Sequence, residues 1–214
     1  LSEKEESLVV DANRTTVRSS AVPRIFVARH CKTSWNLERR IQGRTDIPLC
    51  AEGIAEAKAN CELLRPLPID RILSSPLARG RQTAEIYGEA LGVPVEAWPE
   101  WVEVNMGEWE GHTHGELSAR EPAEYDHWLA DPSGVPLSAI GGEDVWSARK
   151  RVVGALCSLA GRPERGILLI LHKYIRAILQ CAILDQPFRR FSEEIVDSTA
   201  PSELPAPAVE RLCR

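Results

Sequence analysis

The chain has 214 residues, 31 of them acidic and 26 basic, for a net charge of −5. That length suits one α/β domain with a full core rather than two, and the acidic balance excludes the basic footprint of a nucleic-acid or membrane-surface binder. No apolar stretch approaches the ~20 residues of a membrane helix.

Residues 1–22 read as a polar N-terminal extension whose acidic start, Leu1-Ser2-Glu3-Lys4-Glu5-Glu6, is not a secretory signal. Residues 23–214 read as the globular domain. An apolar run over 24–28 predicts a strand ending at Arg29-His30, then a short helix near 34–40. A stripe of Ile54, Ala57, Cys61 and Leu64 predicts a helix over 51–65, ended by Pro66 and Pro68 before a strand at 69–73. Ser75-Pro76 is a good helix-opening pair, and Gly92 stops the helix it opens, ahead of a short strand near 93–97. Residues 99–142 are irregular, with one helix expected over 122–129, and read as lid and substrate pocket. Helix 143–160, strand 167–171, helix 174–184 and a last strand near 209–213 complete the pattern. Such alternation implies a mostly parallel sheet with helices on both faces.

The two most apolar strands each end on a histidine, His30 after Ile25-Phe26-Val27-Ala28 and His172 after Ile167-Leu168-Leu169-Ile170-Leu171. Open α/β sheets bind ligands outside the carboxyl ends of their strands. Two imidazoles at two such ends, one beside Arg29, therefore point to a nucleophile and an anion clamp in one cleft. The six cysteines (31, 50, 61, 157, 181 and 213) lie far apart with no Cys-x-x-Cys pair, most of them in apolar patterns, so neither a disulfide framework nor a zinc site is expected, and a reduced cytoplasm fits best.

Arg29-His30-Cys31-Lys32-Thr33-Ser34-Trp35-Asn36 resembles the Arg-His-Gly-x-Thr-x-x-Asn signature of the histidine phosphatase superfamily, the phosphoglycerate mutase-like proteins. The resemblance continues in order through Gln42-Gly43, Asp46 and Pro48-Leu49, then Ser74-Ser75-Pro76-Leu77, Arg79 and Gln82-Thr83-Ala84. It runs on through Glu103, Gly107-x-Trp109-Glu110-Gly111, Gly141-Gly142-Glu143 and His172. It implies a three-layer α/β/α sandwich with one antiparallel strand in a mostly parallel sheet. It also implies roles: His30 as nucleophile, Arg29 and Arg79 as phosphate clamps, His172 as a protonated donor, and Glu103 as acid and base. Thr33, Trp35, Asn36, Gln42, Gly43 and Lys173 are placed around the substrate. Phosphoryl transfer asks for this set, because catalysis there is positioning plus cations around the equatorial oxygens.

Taken singly, His30 would be a strand-end histidine satisfied by backbone, and Arg79 a solvated helix arginine; the ordered motifs overturn both. Glu103 is picked from Glu96, Glu100, Glu108 and Glu110 only by the Gly107-x-Trp109-Glu110-Gly111 that follows. His112, His114 and His127 read as surface residues, and with no His-x-x-x-His pair neither metal nor cofactor is expected. Trp35, Trp101, Met106, Trp109 and Trp128 are candidates for apolar pocket walls.

The chain departs from the family in carrying Cys31 and Lys173 where glycine usually follows each histidine, and in a His172–Arg176 stretch one residue short. Either side chain would narrow or charge the pocket. A thiolate mechanism at Cys31 is discarded, since the closing arginine it needs is Leu37. The leading expectation is a metal-independent phosphomonoesterase acting on a small phosphorylated metabolite, as a monomer or homodimer. The alternatives are a phosphoglycerate mutase-type phosphotransferase, or a repurposed or inactive member that binds a phosphorylated ligand.

Overall fold

The computed structural model describes residues 23–214, so the N-terminal extension lies outside the described residues. Strand β1 (Arg24–Arg29) leads into a one-turn helix α1 (Ser34–Leu37) and then α2 (Ala51–Leu64). Strand β2 (Arg71–Ser74), α3 (Ala78–Leu91) and β3 (Val95–Ala97) follow. Two helices, α4 (His114–Arg120) and α5 (Pro122–Ala130), stand where one was expected. The chain ends with α6 (Val145–Cys157), β4 (Gly166–Leu171), α7 (Lys173–Ile183), β5 (Ser202–Glu203) and α8 (Ala206–Leu212).

The five strands form one sheet in the order β3-β2-β4-β1-β5. The first four run parallel, and β5 pairs antiparallel with β1. This is the expected mixed sheet, but the antiparallel strand is Ser202–Glu203. The segment near 209–213 is helix, with Val209 packed into the core.

Side chains alternate across a strand, and the sheet uses this to fill two cores. Ile25, Val27, Leu73, Ile167, Leu169 and Leu171 face α6, α7 and the aromatic segment between β3 and α6. Phe26, Ala28, Ile72, Leu168 and Ile170 face α2 and α3. On α2 the inward face is Gly53, Ala57, Cys61 and Leu64, while Ile54 is exposed. Trp101, Met106, Trp109 and Trp128 are fully buried in the first core, so they are packing residues and not pocket walls. Trp128 meets Tyr174 and Phe191 edge to face at centroid distances of 4.7 and 5.4 Å, the favoured geometry for such rings.

A disulfide joins Cys157, at the end of α6, to Cys213, just past α8, contrary to the expectation of none. Its partners are 56 residues apart in sequence, a separation that carries no motif. Cys31, Cys50, Cys61 and Cys181 remain free. Closing a loop of that length removes unfolded-state entropy equivalent to roughly 4 kcal/mol. We expect dithiothreitol, or Cys157→Ala with Cys213→Ala, to lower Tm by ~10 °C in a thermal melt; an unchanged Tm rules out this stabilising role.

Candidate active site

Strands β1 and β4 pair in parallel with Arg29 opposite Leu171, and the His30 N–H donates to the Leu171 carbonyl at 3.0 Å. The register therefore sets His30 and His172 side by side, with ring centroids 5.0 Å apart. Both are buried. The His30 Nδ1 lies 2.8 Å from the Cys31 carbonyl oxygen. A carbonyl only accepts, so Nδ1 carries the proton and Nε2 keeps its lone pair. Burial first, then the charges of Arg79 and Arg29, hold the His30 pKa well below the ordinary histidine value. It is a neutral imidazole with a free ring nitrogen at neutral pH.

Arg79, on the first turn of α3, is buried and donates from NH2 to the Gly43 carbonyl at 2.6 Å and from NH1 to the Thr45 carbonyl at 2.9 Å. Its Nε donates to His172 Nδ1 at 3.2 Å. Burial pushes its pKa down to about 10, which leaves it charged at neutral pH. The loop it grips is fixed by Glu110, whose carboxylate accepts from the Arg44 and Thr45 N–H groups, each at 2.8 Å, and from Met106 N–H at 3.1 Å. Gly43 is required there: its φ is +48°, and a Cβ would lie 2.0 Å from the Glu110 Oε1. The helix that carries Arg79 starts at Ala78, later than Ser75-Pro76 suggests: Leu77 is extended, and Asp46 accepts the Ala78 N–H at 2.6 Å.

His172, expected to donate to the phosphoryl group when protonated beside it, here accepts from the Arg79 Nε through its Nδ1. Burial first, then the charges of Arg79 and Arg29, keep its pKa well below the ordinary value. It stands behind Arg79 and does not itself line the cleft.

Glu103 is buried, and its carboxylate accepts three backbone N–H groups: Val104 at 2.9 Å, Tyr174 at 2.9 Å and Ile175 at 3.0 Å. The last two belong to the first turn of α7, whose N-cap is His172. Burial raises the Glu103 pKa despite those three donors and the charge of Arg79. Arg44 and Arg151 hold its backbone carbonyl, at 3.2 and 3.3 Å, and both pair with Glu143.

A cleft of about 400 Å³ opens over these groups. Arg29, His30, Trp35, Asn36, Gln42, Gly43, Arg79, Glu103 and Lys173 line it together. Thr33 does not: it is the N-cap of α1, accepting the Asn36 N–H and donating to the Asn36 Oδ1, so it positions Asn36. Cys31 also stays out. Its side chain enters the core beneath α2 and α3, 3.5 Å from the Tyr87 hydroxyl, and burial pushes its thiol up to about 11. Lys173 does reach the cleft, 3.5 Å from the Asp197 carboxylate, which also accepts from Arg29 NH1 at 2.6 Å. Asp197 and Arg39 line the cleft without any sequence signal, and His114, expected on the surface, lines it too.

A neutral imidazole with a free nitrogen, two arginines and a carboxyl held toward its protonated form, gathered in one cleft, define an enzyme of phosphoryl transfer. Residues 25–206 match the pattern of the histidine phosphatase superfamily (branch 1), and the chain belongs to that family. It is 31% identical to the adenosylcobalamin/alpha-ribazole phosphatase of Salmonella typhimurium, over 77% of this chain and 81% of that protein. It is 36% identical to a probable phosphoglycerate mutase of Klebsiella pneumoniae, over 76% of this chain and 75% of that one. Among solved structures, a mycobacterial glucosyl-3-phosphoglycerate phosphatase in complex with VO3 superposes with a TM-score of 0.76 at 27% identity, covering 85% of this chain and 90% of that chain.

Proposed function

We propose that the protein is a phosphomonoesterase that cleaves small phosphorylated metabolites through a phosphohistidine at His30. The observation that carries this is the His30 tautomer, fixed by the Cys31 carbonyl, which leaves the Nε2 lone pair for attack. In the first step Nε2 bonds to phosphorus while the ester P–O bond breaks, and the alcohol oxygen leaves with the Glu103 proton. Arg29 and Arg79 hold the phosphoryl oxygens through charge-assisted hydrogen bonds, and neutral His172 keeps Arg79 in place. In the second step water attacks phosphorus, gives a proton to the Glu103 carboxylate, and the P–N bond breaks to free phosphate. The cations are side chains, so no metal is assigned a part.

Relatives named as phosphatases support this reading. The mutase reading has the name of the Klebsiella relative in its favour. We place the protein in the cytoplasm, where a small phosphorylated substrate is the expected partner and where reducing conditions would act on the Cys157–Cys213 bond. The test is an alkaline quench during turnover, followed by mass spectrometry. An acid-labile phosphate on the His30 peptide, with free phosphate accumulating, is the expected result. Phosphate that passes only to a second phosphoglycerate makes the protein a mutase; an unmodified His30 peptide during steady hydrolysis defeats the mechanism.

A further inference from the structure

The mouth of the cleft is more cationic than one phosphoryl group requires. Among the described residues, six cationic side chains line it against three carboxyls, in a chain of net charge −5. Arg79 is committed to two carbonyls and His172, Arg40 to Glu38 and the Gly111 carbonyl, and Lys32 faces Glu56 at 3.8 Å. Asp197 serves both Arg29 and Lys173. Arg39 has no ion-pair or side-chain hydrogen-bond partner among the described residues.

Arg39 is also held in the left-handed region, with φ of +58°. That conformation suits glycine, and a side chain there is disfavoured. Hydrogen bonds fix it from both sides: its N–H donates to the Asn36 carbonyl at 3.2 Å, and its carbonyl accepts the His114 N–H at 3.4 Å. A strained, pinned backbone thus presents a guanidinium at the cleft, and strain of this kind concentrates at ligand sites. Lys173 works on the same space. Lys173, His114 and Arg39 all line this one cleft.

We propose that Arg39 and Lys173 form a second anion-binding subsite at the mouth of the cleft, selecting phosphomonoesters whose alcohol part carries its own carboxylate or phosphate. This rests on the phosphatase reading for the reaction, though not for the binding. The phosphoryl group sits on the floor with His30, Arg29 and Arg79, and the second anion meets Arg39 and Lys173 above it. Asp197 tempers Lys173 until an anion competes for it.

Two substrate pairs test this at low salt, where exposed charges are least screened. 3-Phosphoglycerate against glycerol 3-phosphate isolates a carboxylate, and fructose 1,6-bisphosphate against fructose 6-phosphate isolates a second phosphate. The readout is the ratio of kcat/KM within each pair. Arg39→Asn keeps a residue that tolerates the left-handed region and removes the charge. It should lower the ratio about tenfold for at least one pair, the worth of one charge-assisted contact. Arg39→Lys should keep most of the ratio, and Lys173→Gln should lower it. The pair that responds identifies the anion as carboxylate or phosphate. A ratio within twofold of wild type for both pairs in Arg39→Asn overturns the subsite. If the wild type hydrolyses none of the four, binding replaces turnover as the readout. Kd ratios by calorimetry on His30→Ala protein, with and without Arg39→Asn, then decide the subsite by the same criterion.

Discussion

His30→Ala is expected to lose turnover by roughly 10³-fold or more, because a missing nucleophile cannot be replaced by the clamps that remain. Phosphate affinity should survive, since Arg29 and Arg79 stay in place, so inorganic phosphate should still bind in calorimetry. The variant also has a signature in stability. The folded-state pKa of His30 lies below its unfolded value, for which burial is the main cause. The neutral-histidine contribution is therefore complete above pH ~6.5 and is lost as pH falls below it, where only the unfolded chain takes up the proton. Tm of the wild type should decline from pH 7 to pH 5, and that of His30→Ala should decline less steeply. Wild-type activity in His30→Ala removes the nucleophile assignment outright.

The second large effect concerns Glu103. Glu103→Gln should cost ~10²–10⁴-fold in kcat for alkyl phosphates, the usual worth of a positioned acid and base. With p-nitrophenyl phosphate, whose leaving group needs little protonation, the first step should lose far less. Because burial raises the Glu103 pKa, the competent acid is depleted as pH rises through that raised value. The wild-type kcat/KM should fall on the alkaline side for that reason, and Glu103→Gln should lack that limb. Two neighbours serve as comparisons. Glu108 is exposed, and its glutamine variant should stay within about twofold, as surface changes do. Glu110 fixes the 43–45 loop under Arg79, so Glu110→Gln should raise KM and lower Tm while leaving the pH profile unmoved. Equal losses in all three place the proton elsewhere.

The sheet and the floor of the site were legible because strong local signals marked them. The apolar runs before His30 and His172 could hardly be anything but buried strands, and β1 and β4 end within a residue of expectation. The C-terminus was not legible. Val209 and Leu212 are too few to fix a period, and β5 is two exposed polar residues at a sheet edge with no alternation to read. The disulfide depends on α6 and α8 meeting in space, which spacing cannot reveal. The tryptophans of 99–142 follow no period, so whether they wall a pocket or fill a core is decided by tertiary packing. Thr33 did carry a missed signal: a threonine three residues before a side-chain acceptor is the pattern of a capping box. Cys31 follows strand β1, but only the three-dimensional turn shows that it joins the α2–α3 core. Arg39 and Asp197 lie in loops, where neither backbone sign nor proximity can be read from a single chain.

The pairing of Arg29 with Leu171 separates what this protein can change from what it cannot. Sheet side chains alternate with period two, so inserting or deleting one residue in β4 would turn Leu168 and Ile170 into the wrong core. The same slip would put Leu171 or Lys173 where His172 stands. The floor is thus locked by counting, and both halves of the molecule enforce the count. The mouth is under no such arithmetic. Arg39, His114 and Lys173 can each be exchanged without shifting a strand, so new alcohols can be recruited one rim residue at a time while the bond-breaking chemistry stays constant.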